Sequence, residues 1–499
     1  LIEIRKVNEV YLQIDCEKGE ALEIKDLFSC YAPNFMFHPR FKAKIWDGRI
    51  SFFDLKNRLL PIGLLENLLE FIYDKGYEFN ISSIDSFVDE DVTEDLIDSF
   101  LNLIFENSKF EPRDYQKTAI KNALYSRRGV VESPTGSGKS LIIYSIIRYI
   151  LEVTQGKILL VVPNITLVNQ MFTDFKDYGW NDIENHVDIL YSGKKITNKR
   201  VLISTYQSIY KKGVDFFSEF DAILMDECHG LNLDSKSLKS IMIKCENAIY
   251  RLGFTGTLPD DDVDIFTVYG YLGQQIFSLT TNELIDEGVL SNISIANVIF
   301  RYPEEIIKQY KNRTYPEEER LVESFNPRFK VLNWVFNNLD DKENTLILCR
   351  HIEHLKAIET HLLNTLDDKY KVAVIYGAID GEKREEIRKL MNKEENMVLI
   401  GSYTTMSTGV NIPRIHNIVF ASSYKSKVKI LQSIGRGLRQ AEGKDGLILW
   451  DIVDDLRWKN RKGKYVNNYL FDHFNQRLGF YTKNKFNFYN FELTVTDLK

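Results

Sequence analysis

Between residues 129 and 451, apolar residues gather into short unbroken runs separated by helix-length segments. The runs cover 129–132, 157–163, 187–191, 201–205, 222–226, 252–255, 345–349, 371–376, 397–402, 417–421 and 446–450. They are rich in Val, Ile and Leu and mostly lack polar alternation, which is the pattern of strands covered on both faces of a parallel sheet. Segments such as 140–152 and 166–178 predict the helices between them, giving repeated β–α units. The runs are too many for one comfortable sheet, and a charged stretch at 300–325 interrupts them. Two α/β domains joined near residue 290 are therefore expected.

The flanks read differently. Strand-like pieces at 10–14 and 50–54, with helices at 21–29 and 64–75, predict a small α+β module over 1–84. An acidic linker, 85–108, follows it. The two α/β domains then take 109–289 and 290–452, and a basic, aromatic extension takes 453–499. No stretch reaches the roughly 18 apolar residues of a spanning helix. The first residues also lack the pattern of a secretory signal, so a cytoplasmic location with no membrane partner is expected. Five scattered cysteines without a C-x-x-C pair argue against a disulfide framework or a structural zinc.

The net charge of −7 does not by itself favour nucleic acid. Charge position matters more than the total, and basic residues concentrate over 425–464: Lys425, Lys427, Lys429, Arg436, Arg439, Lys444, Arg457, Lys459, Arg461, Lys462 and Lys464.

Two constellations carry chemistry. The first runs from Ser133 and Pro134 through Thr135, Gly136, Ser137, Gly138, Lys139 and Ser140, between a predicted strand and a predicted helix. Such a loop turns backbone N–H groups inward around phosphates. Lys139 then reaches the terminal phosphates, and the Ser140 hydroxyl suits Mg²⁺. The second is Asp226 and Glu227 at the end of the apolar run 222–226, followed by Cys228 and His229. Open α/β sheets bind ligands at that strand edge. Asp226 is placed to hold Mg²⁺, and Glu227 to polarise the attacking water. Gln432, Arg436 and Arg439 fall at i, i+4 and i+7, which predicts one helix face. Gly435 and Gly437 cost such a helix about 2 kcal/mol together, and close approach of the other lobe is one explanation for them. Arginine suits phosphate charge in a transition state because its fork stays protonated and binds oxygens bidentately.

These residues together resemble the DExH-type superfamily-two helicases, whose motifs recur in order over 111–440. The resemblance implies two RecA-like lobes around ATP and Mg²⁺. It implies adenine reading by the segment holding Arg113 and Gln116. It implies nucleic-acid contacts at Thr166, Thr205, Gln207, Arg350, His351 and Thr408, and coupling through Thr255 and Thr257. Gly409, Asn411 and Gln432 join the nucleotide-binding residues, although Asn411 stands where the family usually has Asp. The segments 39–49, 58–63 and 450–455 narrow the resemblance to the UvsW family of tailed-phage recombination and repair helicases. That family implies branch migration of Holliday junctions, fork regression, R-loop unwinding and strand annealing. Its partners would be branched and single-stranded DNA, RNA–DNA hybrids and other phage recombination or replication proteins. An RNA helicase or remodeller is the alternative enzyme, and a nucleotide-gated junction-binding scaffold the non-enzymatic one.

Two segments keep two readings. Arg40, Lys42, Lys44, Trp46 and Arg49 fit a DNA-contacting surface, while Phe41, Ile45 and Trp46 fit a small core equally well. The aromatic run 465–491 reads first as packing and second as base stacking.

Overall fold

In the computed structural model, the described residues are 1–498 apart from 83–87, 192–195, 378, 380, 407–411, 425 and 442–443; at 381, 382, 384, 385, 427 and 428 only the backbone is described. The chain divides into two compact units, one holding 1–133 and 138–278, the other 134–137 and 279–499.

In the first unit, seven strands form a parallel sheet in the order Gln275–Ser278, Arg128–Glu132, Tyr250–Thr255, Phe220–Asp226, Lys157–Val162, Val201–Thr205, Val187–Leu190. The inner strands are buried almost end to end, as their unbroken apolar runs require. Helices Asp114–Ser126, Lys139–Val153 and Ile165–Asp177 pack the core on one face, with Tyr144, Phe175 and Trp180 buried among them. The stretch read as an acidic linker carries the helix Glu94–Phe105. Its Ile97, Leu101 and Phe105 join this core while Glu94, Asp95 and Asp98 stay exposed.

The N-terminal module belongs to the same unit. Its four-stranded sheet runs Leu59–Pro61, Tyr11–Asp15, Ile2–Lys6, Phe79–Ser82, backed by helices Lys18–Leu27 and Leu65–Lys75. It docks on the helix Asp262–Leu272 without a linker-like gap. Phe28 meets Phe266 edge-on with centroids 6.2 Å apart, and Arg128 pairs with Glu9 at 3.1 Å. The backbones come so close that a Cβ on Gly63 would lie 2.0 Å from the Tyr269 carbonyl oxygen. Only glycine fits there.

The second unit holds another seven-stranded parallel sheet: Lys371–Ile375, Met397–Ser402, Thr345–Cys349, Asn417–Phe420, Gly446–Asp455, Asn292–Arg301, Asn487–Leu493. The C-terminal extension is built onto this sheet. Its helix Tyr469–Lys483 buries Leu470, Phe471, Phe474, Arg477 and Tyr481, and its last strand pairs along Asn292–Arg301. The aromatic run thus packs with one face and leaves Tyr465, Tyr469 and Tyr489 exposed. No helix among the described residues is long and apolar enough to cross a membrane.

Candidate nucleotide site and nucleic-acid interface

In the first unit the chemistry collects at the C-terminal ends of neighbouring strands. The phosphate loop leaves the strand Arg128–Glu132, and Gly136 and Gly138 take left-handed φ values of +94° and +82° before the helix starting at Lys139. Ser137 Oγ donates to the Pro134 carbonyl at 2.8 Å, and Lys139 Nζ donates to the Ser133 carbonyl at 2.8 Å. The Ser133 N–H donates to the Thr255 carbonyl at 2.8 Å, which ties the loop to the next strand. Gln116 is buried against Gly138, and its Oε1 accepts the backbone N–H of Arg113, whose side chain is exposed. Thr135 and Ser140 are half-buried, and the Ser140 hydroxyl shares a 2.7 Å hydrogen bond with Tyr178. Nothing in the sequence pointed to Tyr178, which lies 38 residues on at the end of the helix Ile165–Asp177.

Asp226 ends the strand Phe220–Asp226 and is only 6% exposed. Its Oδ1 is buried with no hydrogen-bond partner among the described residues. Burial first, and the neighbouring Glu227 charge second, push its pKa up, and Lys139 opposes the shift. A buried carboxylate oxygen left without a donor, within electrostatic reach of Lys139, is the kind of hard oxygen donor a divalent cation takes. Glu227 is held at φ +52°, an uncommon conformation for a residue with a side chain.

His229 adds a link that motif matching did not supply. Its Nδ1 lies 3.3 Å from the Glu227 carboxylate and 3.0 Å from Thr255 Oγ1. Thr255 Oγ1 in turn donates to the Thr257 carbonyl at 2.9 Å and accepts the Thr257 N–H at 3.2 Å. Glu132 accepts the Leu258 N–H at 3.0 Å, which holds the far side of the same turn. Glu227 is therefore joined through His229 to the Thr255–Thr257 turn.

Of the contacts expected on nucleic acid, Thr166 and Gln207 are exposed and follow the adjacent strands Lys157–Val162 and Val201–Thr205. Thr205 is buried and bonds Ser208 at 2.9 Å, so its side chain shapes the turn that presents Gln207. In the second unit Arg350 and His351 follow the strand Thr345–Cys349. Arg350 binds Glu319 at 2.7 Å and also meets Tyr315, and His351 binds Glu323 at 2.9 Å. Ser407, Thr408, Gly409, Asn411 and Lys425 lie outside the described residues.

The expected single helix face for Gln432, Arg436 and Arg439 needs correction. The helix Lys427–Gly437 carries Gln432 and Arg436 but ends before Arg439, which pairs in a β-bridge with Leu290. Two glycines in three residues weaken the last turn. Gly437 has a local reason too: a Cβ there would lie 2.7 Å from Leu447 and 2.8 Å from Ile418, both in the unit's own sheet.

Two buried ion pairs fix the segment leading into this helix. Arg328 binds Asp454 through Nε at 2.6 Å and Nη2 at 3.0 Å, and donates to the Ala421 carbonyl at 2.8 Å. Arg477 binds Asp451 at 2.8 and 2.9 Å and donates to Ser423 Oγ at 3.0 Å and the Tyr424 carbonyl at 3.2 Å. Tyr481 donates to Asp451 at 2.9 Å. Despite complete burial, the paired carboxylates hold both guanidinium pKa values above the ordinary arginine range.

Comparison with known proteins agrees with this arrangement. Residues 2–82 match the family described as DNA helicase UvsW, N-terminal. Residues 109–260 match the type III restriction enzyme res subunit family, and 310–441 the helicase conserved C-terminal domain. The chain is 34% identical to the ATP-dependent DNA helicase uvsW of Enterobacteria phage T4, over 96% of each chain. It is 25% identical to the DNA 3'-5' translocase XPB2 of Sulfurisphaera tokodaii, over 72% of this chain and 85% of that one. The crystal structure of T4 UvsW superimposes with a TM-score of 0.51 at 31% identity, covering 99% of both chains. With its two parallel-sheet units, its phosphate loop and its Asp-Glu-Cys-His strand end, the chain belongs to the UvsW family of ATP-dependent DNA helicases.

Proposed function

We propose that this helicase works on branched DNA, migrating Holliday junctions, regressing forks, unwinding R-loops and annealing strands, in phage recombination, repair and replication. The observation that carries the reading is likeness along 96% of the chain, including the N-terminal module, which packs closely on the helix Asp262–Leu272. Within that module the structure separates the basic and aromatic residues. Trp46 donates to the Arg49 carbonyl at 2.8 Å, and Arg49 is engaged by Asp26 and Ser29, so both support the module itself. Arg40, Lys42 and Lys44 are exposed beside exposed Phe37 and Ile45, a combination suited to a DNA surface.

In the proposed cycle Lys139 and the loop N–H groups hold the terminal phosphates, with Arg113 and Gln116 toward the base. Ser140 and Asp226 would hold Mg²⁺, which supplies charge neutralisation at the phosphates when bound. Glu227 orients the attacking water, and Arg436 and Arg439 serve the charge of the transition state. His229 passes the state of the acid pair to the Thr255–Thr257 turn. Thr166 and Gln207 track the strand backbone. Lys139→Ala tests this scheme: ATPase should be abolished while DNA binding persists, and full ATPase in the variant contradicts it. An RNA remodeller would show stronger ATPase stimulation by RNA hairpins than by DNA junctions.

A further inference from the structure

The basic stretch of the second unit is not one surface. Lys444 is half-buried and donates to the carbonyls of Pro413, Gly437 and Arg439, so its charge is spent holding the chain. Lys429 binds the Tyr424 hydroxyl at 3.0 Å. Arg457 forms a two-point pair with Asp455 at 2.9 Å and lies 3.9 Å over the Phe471 ring. At its C-terminal end the stretch carries four more cations, Lys459, Arg461, Lys462 and Lys464. All are exposed, and none forms an ion pair among the described residues.

These four sit on a fixed hairpin. The strands Trp458–Lys459 and Tyr465–Val466 pair antiparallel. Asn460 braces the turn: its Oδ1 accepts the N–H groups of Lys462 at 2.9 Å and Lys464 at 3.1 Å, and its own N–H donates to the Lys464 carbonyl at 2.8 Å. At the base, Arg301 bridges Asp455 at 3.0 Å and Glu304 at 3.3 Å, so those two carboxylates are already occupied. Four like charges within six residues repel one another, and an ordered turn prevents their spreading apart. A chain with net charge −7 gains nothing in solubility from such a concentration. An external polyanion relieves it.

The aromatic geometry selects which part of a nucleic acid is met. Tyr465 is 54% exposed, but Lys459 and Arg457 each lie 5.2 Å from its ring centroid. Its faces are therefore used by cations and not open to a base. We propose that the hairpin 458–466 grips the phosphate backbone of a duplex DNA arm through Lys459, Arg461, Lys462 and Lys464. This rests on the branched-DNA reading and adds a contact to the motor's own strand-tracking residues.

The test replaces all four by Gln (K459Q, R461Q, K462Q, K464Q) in the full chain and measures binding against KCl. The probes are a four-way DNA junction and a single-stranded oligonucleotide. Each lost duplex phosphate contact lowers the salt slope by about 0.9, so the junction slope should fall by about 2 to 4. Affinity for the junction at 0.15 M salt should fall at least about tenfold, with the single-strand slope and single-strand-stimulated ATPase within twofold of wild type. An unchanged junction slope overturns the proposal. An equal loss on the single strand also overturns it, by assigning the hairpin to the tracked strand. Lys462→Glu alone provides a second, less disruptive variant, expected to weaken the junction more than the single strand. Failure of the wild-type chain to unwind junctions would instead strike at the branched-DNA reading.

Discussion

Replacing Arg477 by Met should destabilise the second unit severely, although the residue lies in the C-terminal extension and in none of the helicase motifs. The side chain is 1% exposed and that of Asp451 is fully buried. Removing the guanidinium strands a carboxylate that, among the described residues, retains the Tyr481 hydroxyl as its side-chain donor, and it also frees Ser423 and Tyr424. Breaking one side of such a pair costs about 3–5 kcal/mol. For a cooperative unit of about 150–250 residues, each kcal/mol moves the melting temperature by about 2–4 °C. A drop of roughly 6–20 °C in the transition of that unit follows. Circular dichroism melts of Arg477→Met and of the double variant with Asp451→Asn provide the assay. The double variant should recover at least half of the loss, because no buried charge is then left unpaired. A single variant melting within 2 °C of wild type would refute the reasoning. ATPase should fall in parallel, since the freed segment leads into the helix bearing Gln432 and Arg436.

Two further outcomes follow from the first unit. Asp226 has its pKa raised in the fold, so ionising it costs stability. The penalty is absent below the unfolded carboxylate pKa and complete once the pH has passed the folded value. Asp226→Asn should therefore raise the melting temperature of the ligand-free protein at pH 8 and leave it unchanged near pH 3, with ATPase lost; equal melting at pH 8 would count against the buried, unpaired carboxylate. His229→Ala removes the bridge to Thr255, so unwinding should fall at least about tenfold while ATPase falls less than about threefold. Equal losses would deny the link.

Much of the two sheets was legible because strands buried on both faces read as continuous apolar runs. The strands that escaped notice are mostly peripheral or unusual in pattern. Gln275–Ser278 and Asn487–Leu493 lie at sheet edges and alternate or expose most of their residues, so they lack the run. Asn292–Arg301 is long and buried in its second half, but it adjoins the charged stretch that broke the series. Lys139 stands out because its loop, 133–140, is one contiguous run, and Asp226 and Glu227 because they are neighbours at the end of an apolar strand. The clamps of Arg328 and Arg477 left no such trace: their carboxylates lie 126 and 26 residues away. The same holds for Tyr178 against Ser140, a pairing made only by packing of the first core. Helix spacing misplaced Arg439, because periodicity extends a helix through glycines that in fact end it.

The central claim is that one ATP site in this chain drives remodelling of branched DNA. The most direct test measures ATP hydrolysis and strand separation together on four-way junctions, forks, R-loops and plain duplex, with Glu227→Gln as the control. Coupled hydrolysis and unwinding are expected on the branched substrates, little on plain duplex, and neither in the control. Equal activity on plain duplex, or junction unwinding that survives Glu227→Gln, would contradict it.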